Sequence, residues 1–186
     1  TRAVSRSVNQ ALVVADLPFG SYEANPELAL ATSIRFFKEA GAHAVKLEGA
    51  HVEQIKKLVS SGIPVMGHIG LTPQSVHQLG GFRVQGRENP EALIAAAKAI
   101  ESAGAFAIVL EMVPADLAIQ ITKELSIPTV GIGAGNGTDA QVLVWTDAFG
   151  ITKNPPKLAK AYRNLRAELL SGAQEFAKDV LSGEFP

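Results

Sequence analysis

The sequence predicts an α/β fold, a (β/α)8 TIM barrel from which the first two βα units are missing in this chain. Three observations predict it. Short apolar runs alternate with helical patterns along most of the chain. Two stretches repeat nearly in register, Ala40-Gly41-Ala42-His43-Ala44-Val45-Lys46-Leu47-Glu48 and Ala103-Gly104-Ala105-Phe106-Ala107-Ile108-Val109-Leu110-Glu111, and each carries an apolar strand into a glutamate. No glycine-rich dinucleotide fingerprint follows the first strand, where Asp16-Leu17-Pro18-Phe19-Gly20 stands instead, which argues against an open doubly wound sheet.

The first strand is predicted over residues 11–16. The helix after it begins with Asn25 as N-cap, Pro26 at the first helical position and Glu27 in the first turn, carries Leu30, Ile34 and Phe37 on one face, and stops at Gly41. Residues 42–48 form the second strand, residues 51–59 an amphipathic helix with Val52, Ile55 and Val59, and residues 63–68 the third strand. Residues 70–89 lack a strand pattern and combine Pro73, Gly80, Gly81 and Gly86 with Thr72, Gln74, Ser75, Arg83, Gln85 and Arg87, which predicts a lid or binding loop, the alternative being an ordinary surface excursion with a short helix. Asn89-Pro90-Glu91, followed by Leu93, Ala97, Ile100 and Gly104, repeats the first crossover helix and leads to a strand over residues 105–111. A helix after Pro114 carries Leu117, Ile121 and Leu125, strands follow over residues 127–132 and 141–147, and two helical stretches cover residues 158–170 and 173–181. A closed barrel of this kind has eight strands, so the six here are expected to be its last six, with two βα units upstream of Thr1. One barrel domain is expected over residues 1–186, with residues 156–186 as its C-terminal helical segment.

Composition narrows the function. The 186 residues are 47% hydrophobic, enough for a sizeable core. Seventeen basic against eighteen acidic residues leave a net charge of -1, so no broad field favours nucleic acid or an anionic membrane, and the expected partner is a small molecule. The absence of cysteine removes disulfides, thiolate metal sites and cysteine nucleophiles, and fits a reducing, cytoplasmic setting. No apolar run reaches the length of a membrane span.

Strands buried on both faces have little use for carboxylates, so the acids Asp16, Glu48 and Glu111 at carboxyl ends of predicted strands point to one shared polar site at the barrel mouth. Alternation puts Lys46 and Glu48 on one face. Asp16 and Glu48 on neighbouring strands, with water completing the shell, suit a hard octahedral ion such as Mg²⁺. Pairing with Lys46, Arg83 or Arg87, or helix capping, is the competing explanation for each acid taken alone. Glu111, between an apolar strand and Met112-Val113-Pro114, has a setting that suits a general base, or equally a hydrogen-bonded packing role. His68 ends its strand, where it binds substrate or is simply hydrogen-bonded. The run Gly131-Ile132-Gly133-Ala134-Gly135-Asn136 follows a strand and offers backbone N–H groups to an anion, although glycine turns also serve only to reverse the chain. Capping is the expected role of Asp139 and Asp147. Neither a paired-histidine zinc motif nor a nucleophile-elbow serine occurs.

Six blocks then stand in an order that resembles ketopantoate hydroxymethyltransferases: Val14-Ala15-Asp16-Leu17-Pro18-Phe19, Val45-Lys46-Leu47-Glu48-Gly49, Gly67-His68-Ile69-Gly70-Leu71-Thr72-Pro73-Gln74-Ser75-Val76, Gly80-Gly81-Phe82-Arg83-Val84-Gln85-Gly86-Arg87, Leu110-Glu111-Met112-Val113-Pro114 and Gly131-Ile132-Gly133-Ala134-Gly135. The resemblance implies a Mg²⁺-dependent barrel enzyme of pantothenate biosynthesis that moves a one-carbon unit from 5,10-methylenetetrahydrofolate onto 3-methyl-2-oxobutanoate to give 2-dehydropantoate. Carried over by motif, Asp16 and Glu48 are metal ligands, Asp16 and Lys46 substrate contacts and Glu111 the proton acceptor; a homo-oligomer is also implied. The family has two further βα units at its amino end, with a Gly-Asp-Ser motif whose aspartate binds metal and whose serine touches substrate. Neither unit is in this chain, nor is the usual acidic-histidine tail, and Ala140 stands where glycine is frequent. The sequence leaves two other readings open: a related Mg²⁺-dependent barrel acting on another 2-oxo acid, such as a carbon-carbon lyase or phosphonomutase, and a non-catalytic truncated barrel module. Lyases of that kind are expected to use a lid cysteine, which this chain lacks.

Overall fold

The computed structural model describes residues 1–185, which group into two compact units, Thr1–Gln141 and the remainder from Val142 onward. The first unit holds a six-stranded parallel sheet: β1 (Val14–Asp16), β2 (Ala44–Lys46), β3 (Val65–Gly70), β4 (Ala107–Glu111), β5 (Thr129–Ile132) and β6 (Ala140–Gln141). Its spatial order is the chain order, β1 to β6, and every neighbouring pair is parallel. A doubly wound sheet reverses direction at a switch point; this one never does, which is the strand order of a (β/α)8 barrel.

The crossovers are α2 (Pro26–Ala40), α3 (Val52–Ser60), α4 (Pro90–Ser102) and α5 (Ala115–Glu124), preceded by a short α1 (Arg2–Ser5) that the sequence pattern does not announce. The two expected caps are present. The Asn25 side chain accepts from the Leu28 N–H at 2.8 Å and that of Asn89 from the Ala92 N–H at 3.1 Å, with proline at the start of each helix. Gly41 ends α2 in the left-handed conformation, φ 66°.

The core lies between these helices and one face of the sheet. Val45, Leu47, Val65, Ile108 and Leu110 from the strands and Ala29, Ile55, Leu58, Ala97, Ile100, Ala118 and Ile121 from the helices are fully shielded there. Burying one such Leu or Ile contributes roughly 1.5–3 kcal/mol, several times the 0.2–1 kcal/mol of order typical for a cross-strand pair. Helix packing therefore fixes which strand face is apolar, even where a strand has only three paired residues.

The second unit contains α6 (Trp145–Ala148) and α7 (Leu165–Ser182). Two expectations are corrected here. The strand expected over residues 141–147 ends at Gln141, and Trp145–Ala148 is helical, with the Ala148 N–H bonded to the Val144 carbonyl at 3.0 Å; a short apolar run such as Val142-Leu143-Val144 suits strand or extended linker equally. The two helical stretches expected over residues 158–170 and 173–181 are one helix, α7, capped by Asn164, whose side chain accepts from the Ala167 N–H at 3.3 Å. Gly172 passes inside α7 because it faces open space and interrupts no contact. None of the residues of α7 is buried, and Leu169, Leu170, Phe176 and Leu181 are exposed. No helix among the described residues is long and apolar enough to cross a membrane.

Candidate active site

Side-chain alternation builds the site. Val45 and Leu47 of the β2 segment, Val65 and Ile69 of β3, and Ile108 and Leu110 of β4 face the helices. Gly67 shares that face because a Cβ there would lie 2.5 Å from Ile100. The opposite parity sends Lys46, His68 and Glu111 to the other face near the carboxyl ends of β2, β3 and β4. Asp16 ends β1 directly beside Lys46 in register, and Gly70 pairs with Glu111.

These side chains form a continuous row across four adjacent strands. Lys46 Nζ lies 2.8 Å from Asp16 Oδ1 and 3.2 Å from His68 Nδ1. His68 Nε2 lies 3.2 Å from Glu111 Oε2, and Glu48 Oε1 is 3.7 Å from His68 Nδ1. An ammonium has only hydrogens to offer, so Nδ1 accepts from Lys46 and the proton of a neutral imidazole sits on Nε2, facing Glu111. That N–H is buried, and although Glu111 is close, no hydrogen bond of good geometry satisfies it. The exposure is graded: the Asp16 side chain is 53% accessible and that of Glu111 17%, whereas His68 and Glu48 lie at 3% and 5%. Ligands thus reach Asp16 and Glu111 first, with His68 beneath.

Glu48 has a support that the sequence reading missed. Its Oε2 accepts from the Gln74 backbone N–H at 2.9 Å, in the 3-10 turn Pro73–Ser75. The Gln74 side chain reaches the Leu17 carbonyl at 2.9 Å and accepts from the Tyr22 hydroxyl at 2.9 Å, while that hydroxyl accepts from the Glu48 N–H at 3.3 Å. Gln54 adds a bond to the Tyr22 carbonyl at 3.2 Å, and the His51 ring stands edge-on to Tyr22 with centroids 5.4 Å apart. Burial holds the Tyr22 hydroxyl well above its ordinary value and pushes the His51 imidazole down. The turn after β3, the loop after β1 and the end of β2 are thereby fastened at Glu48. These contacts span 26 to 57 residues, beyond any local pattern.

Burial also pushes the Glu48 carboxyl above the usual carboxylate range; the Gln74 N–H, His68 and Lys46 oppose that shift, and the charge of Asp16 adds to it. Ionising Glu48 therefore costs more in the fold than in the unfolded chain. The associated stability is full below the ordinary value of 4.5 and is lost as pH rises through the raised folded value. In metal-free buffer the urea midpoint of the native chain should accordingly fall relative to that of Glu48→Gln as pH is raised from 4.5. Midpoints that stay parallel across this range would contradict the shift.

Asp16 and Glu48 present two carboxylates from neighbouring strands, one open to solvent and one anchored, and their mutual repulsion is of the kind a divalent cation relieves. Mg²⁺ commonly takes only one or two protein carboxylates and keeps several waters, so this donor set fits it. Among the described residues no three His, Asp or Glu side chains surround a common ion position.

The structure thus brings Asp16, Lys46, Glu48, His68 and Glu111 together. The other candidates serve their own elements. Asp139 accepts from the Thr129 N–H at 2.8 Å and hydroxyl at 3.0 Å, which holds its carboxyl below the usual range and fastens β5 rather than capping a helix. Asp147 is buried inside α6 instead of ending a strand. The glycine run after β5 serves close packing, since a Cβ on Gly135 would meet that of Ala115 at 2.6 Å. Sequence reading also missed Met112, which follows Glu111 at φ 47°, a left-handed conformation that costs a non-glycine residue about 1–3 kcal/mol. It is held by its N–H on the Ile132 carbonyl at 2.9 Å and by its own carbonyl, which accepts from the Gln85 N–H at 2.9 Å.

The whole chain, residues 1–186, matches the family model described as ketopantoate hydroxymethyltransferase. A protein of Nocardioides sp. called 3-methyl-2-oxobutanoate hydroxymethyltransferase is 60% identical over 189 residues, covering 100% of this chain and 64% of that protein. One of the same name from Thermobifida fusca is 58% identical, covering 100% of this chain and 68% of its own length. The chain therefore spans about two thirds of these relatives. A solved phosphonopyruvate hydrolase aligns with 98% of this chain and 64% of its own at a TM-score of 0.52 and 18% identity, a likeness of fold alone. With its strand-end acids, lysine and histidine in the expected blocks and its full length matched, the chain belongs to the ketopantoate hydroxymethyltransferase family.

Proposed function

We propose that the chain carries the catalytic half-site for transfer of a hydroxymethyl group from 5,10-methylenetetrahydrofolate to 3-methyl-2-oxobutanoate, giving 2-dehydropantoate. The observation that carries this reading is the row Asp16, Lys46, His68 and Glu111 across consecutive strand ends, with Glu48 beside it, in a chain of this family. Asp16 and Glu48 would hold Mg²⁺, which when bound supplies Lewis-acid polarisation of the 2-oxo acid's carboxylate and ketone oxygens. Lys46, tied to Asp16, binds the substrate's negative charge. Glu111 takes the proton from C3, because its carboxylate is the partly accessible acid at the end of β4. His68 directs Lys46 through Nδ1 and presents its unsatisfied Nε2–H toward Glu111.

The carbon left at C3 attacks the methylene of the folate donor, and addition of water with release of tetrahydrofolate gives the hydroxymethyl product. A cytoplasmic setting accords with the absence of cysteine, and a homo-oligomer with the exposed Leu169, Leu170, Phe176 and Leu181 of α7. The test is proton exchange without folate. In D₂O the protein should catalyse Mg²⁺-dependent loss of the C3–H resonance of 3-methyl-2-oxobutanoate, and chelation should abolish it. No exchange above the buffer rate with Mg²⁺ present would sink the reading.

A further inference from the structure

The loop between β3 and α4 lines an open cavity of about 490 Å³, within the size range of small-molecule sites. Its wall is part apolar, with Leu79, Val84 and Leu93, and part cationic, with Arg83 and Arg87. Neither arginine pairs with a carboxylate among the described residues. Glu88 is the sole acid in the lining, so the wall carries a net positive charge. The Asp16-to-Glu111 row leaves both guanidiniums unused.

The cavity also adjoins the reacting end of the sheet. Gly70, one of its lining residues, pairs in register with Glu111, and Gln85, another, donates its N–H to the Met112 carbonyl. Gly86 pins the loop against two helices: at φ 90°, a Cβ there would lie 2.7 Å from Leu117 and 3.1 Å from Leu93. A molecule in the cavity therefore lies beside Gly70, the register partner of Glu111, with Arg83 and Arg87 in its lining. Guanidinium forks match carboxylates in planar, bidentate geometry.

We propose that this cavity is the subsite for the carboxylate-bearing tail of the second substrate, with Arg83 and Arg87 as its anchors and the apolar wall against the adjoining aryl group. The proposal rests on the reading above, in which that substrate is a folate whose aminobenzoyl group ends in glutamate. The shared chemistry is a carboxylate, and the 2-oxo acid also carries one, so the test separates the two sources.

Calorimetry would compare the chain with Arg83→Gln, Arg87→Gln and the double variant, using tetrahydrofolate with one or three glutamyl residues and, separately, 3-methyl-2-oxobutanoate with Mg²⁺. Each exposed arginine should contribute about three- to fivefold in affinity, so the double variant should weaken triglutamate binding by roughly tenfold or more. The preference for triglutamate over monoglutamate should shrink with added salt. Glu88→Gln should tighten triglutamate binding. Triglutamate bound equally by wild type and double variant would overturn the subsite, and so would a loss confined to 2-oxo acid binding. Failure of C3 exchange with arginine-dependent folate binding intact would instead remove the catalytic reading and leave the subsite standing.

Discussion

Glu111→Gln should lower Mg²⁺-dependent C3 exchange by about 10²–10⁴-fold, the range in which a positioned general base contributes. The substitution keeps shape and removes only the basic oxygen. Nothing structural should fail with it, because Glu111 is partly accessible and His68 Nε2, at 3.2 Å, forms no well-aligned hydrogen bond with it. The amide oxygen can still face that N–H. Asp16 and Glu48 are untouched, so Mg²⁺ affinity measured by calorimetry should stay within about threefold, well inside 1 kcal/mol. A melting temperature close to that of the native chain, with exchange gone, assigns the proton to Glu111. Exchange retained near the native rate would move the base elsewhere, and Asp16, the other partly open carboxylate of the row, would be next to examine.

The row itself was legible because it obeys the simplest periodicity in proteins. A strand alternates faces, so an apolar run that ends in an acid announces which face turns polar at its end. The caps of α2 and α4 were legible for a similarly local reason: asparagine followed by proline satisfies an orphan N–H within four residues. Tyr22 and Gln74 were not. Tyr22 lies in a polar loop and Gln74 in a turn, and the hydroxyl that links them joins segments 52 residues apart. Only the packed fold makes either one part of the site. Met112 escaped for another reason, since nothing in its side chain signals a positive φ, and its conformation follows from backbone bonds to Ile132 and Gln85. The errors at residues 141–147 and 158–164 fall where apolar residues lack either clean alternation or a sustained helical stripe, so local pattern has least to say.

Gly70→Ala should damage both stability and catalysis, more than any single removal of a surface charge. Gly70 stands at φ 93°, outside the range that L side chains readily occupy, and a Cβ there would lie 2.1 Å from the Glu111 carbonyl oxygen and 2.8 Å from Val113. The nearest obstacle is backbone, so no rotamer relieves it. Either the end of β3 separates from β4, breaking the bond from the Leu71 N–H to that same Glu111 carbonyl at 2.8 Å, or the main chain at Glu111 shifts. Strain of this kind together with a broken ladder end costs on the order of 3 kcal/mol. Urea denaturation should read that loss, and the remaining folded protein should exchange C3 protons more than tenfold more slowly, because displacements of about an ångström at a reacting group carry penalties of that size. Gly62→Ala is the matched control: it too replaces a glycine at positive φ, 81°, but a Cβ there meets nothing within 4 Å. It should cost stability through backbone strain alone and leave the exchange rate of the folded protein unchanged. Equal losses of exchange in the two variants would mean that the close approach of β3 to the Glu111 carbonyl does not position the base.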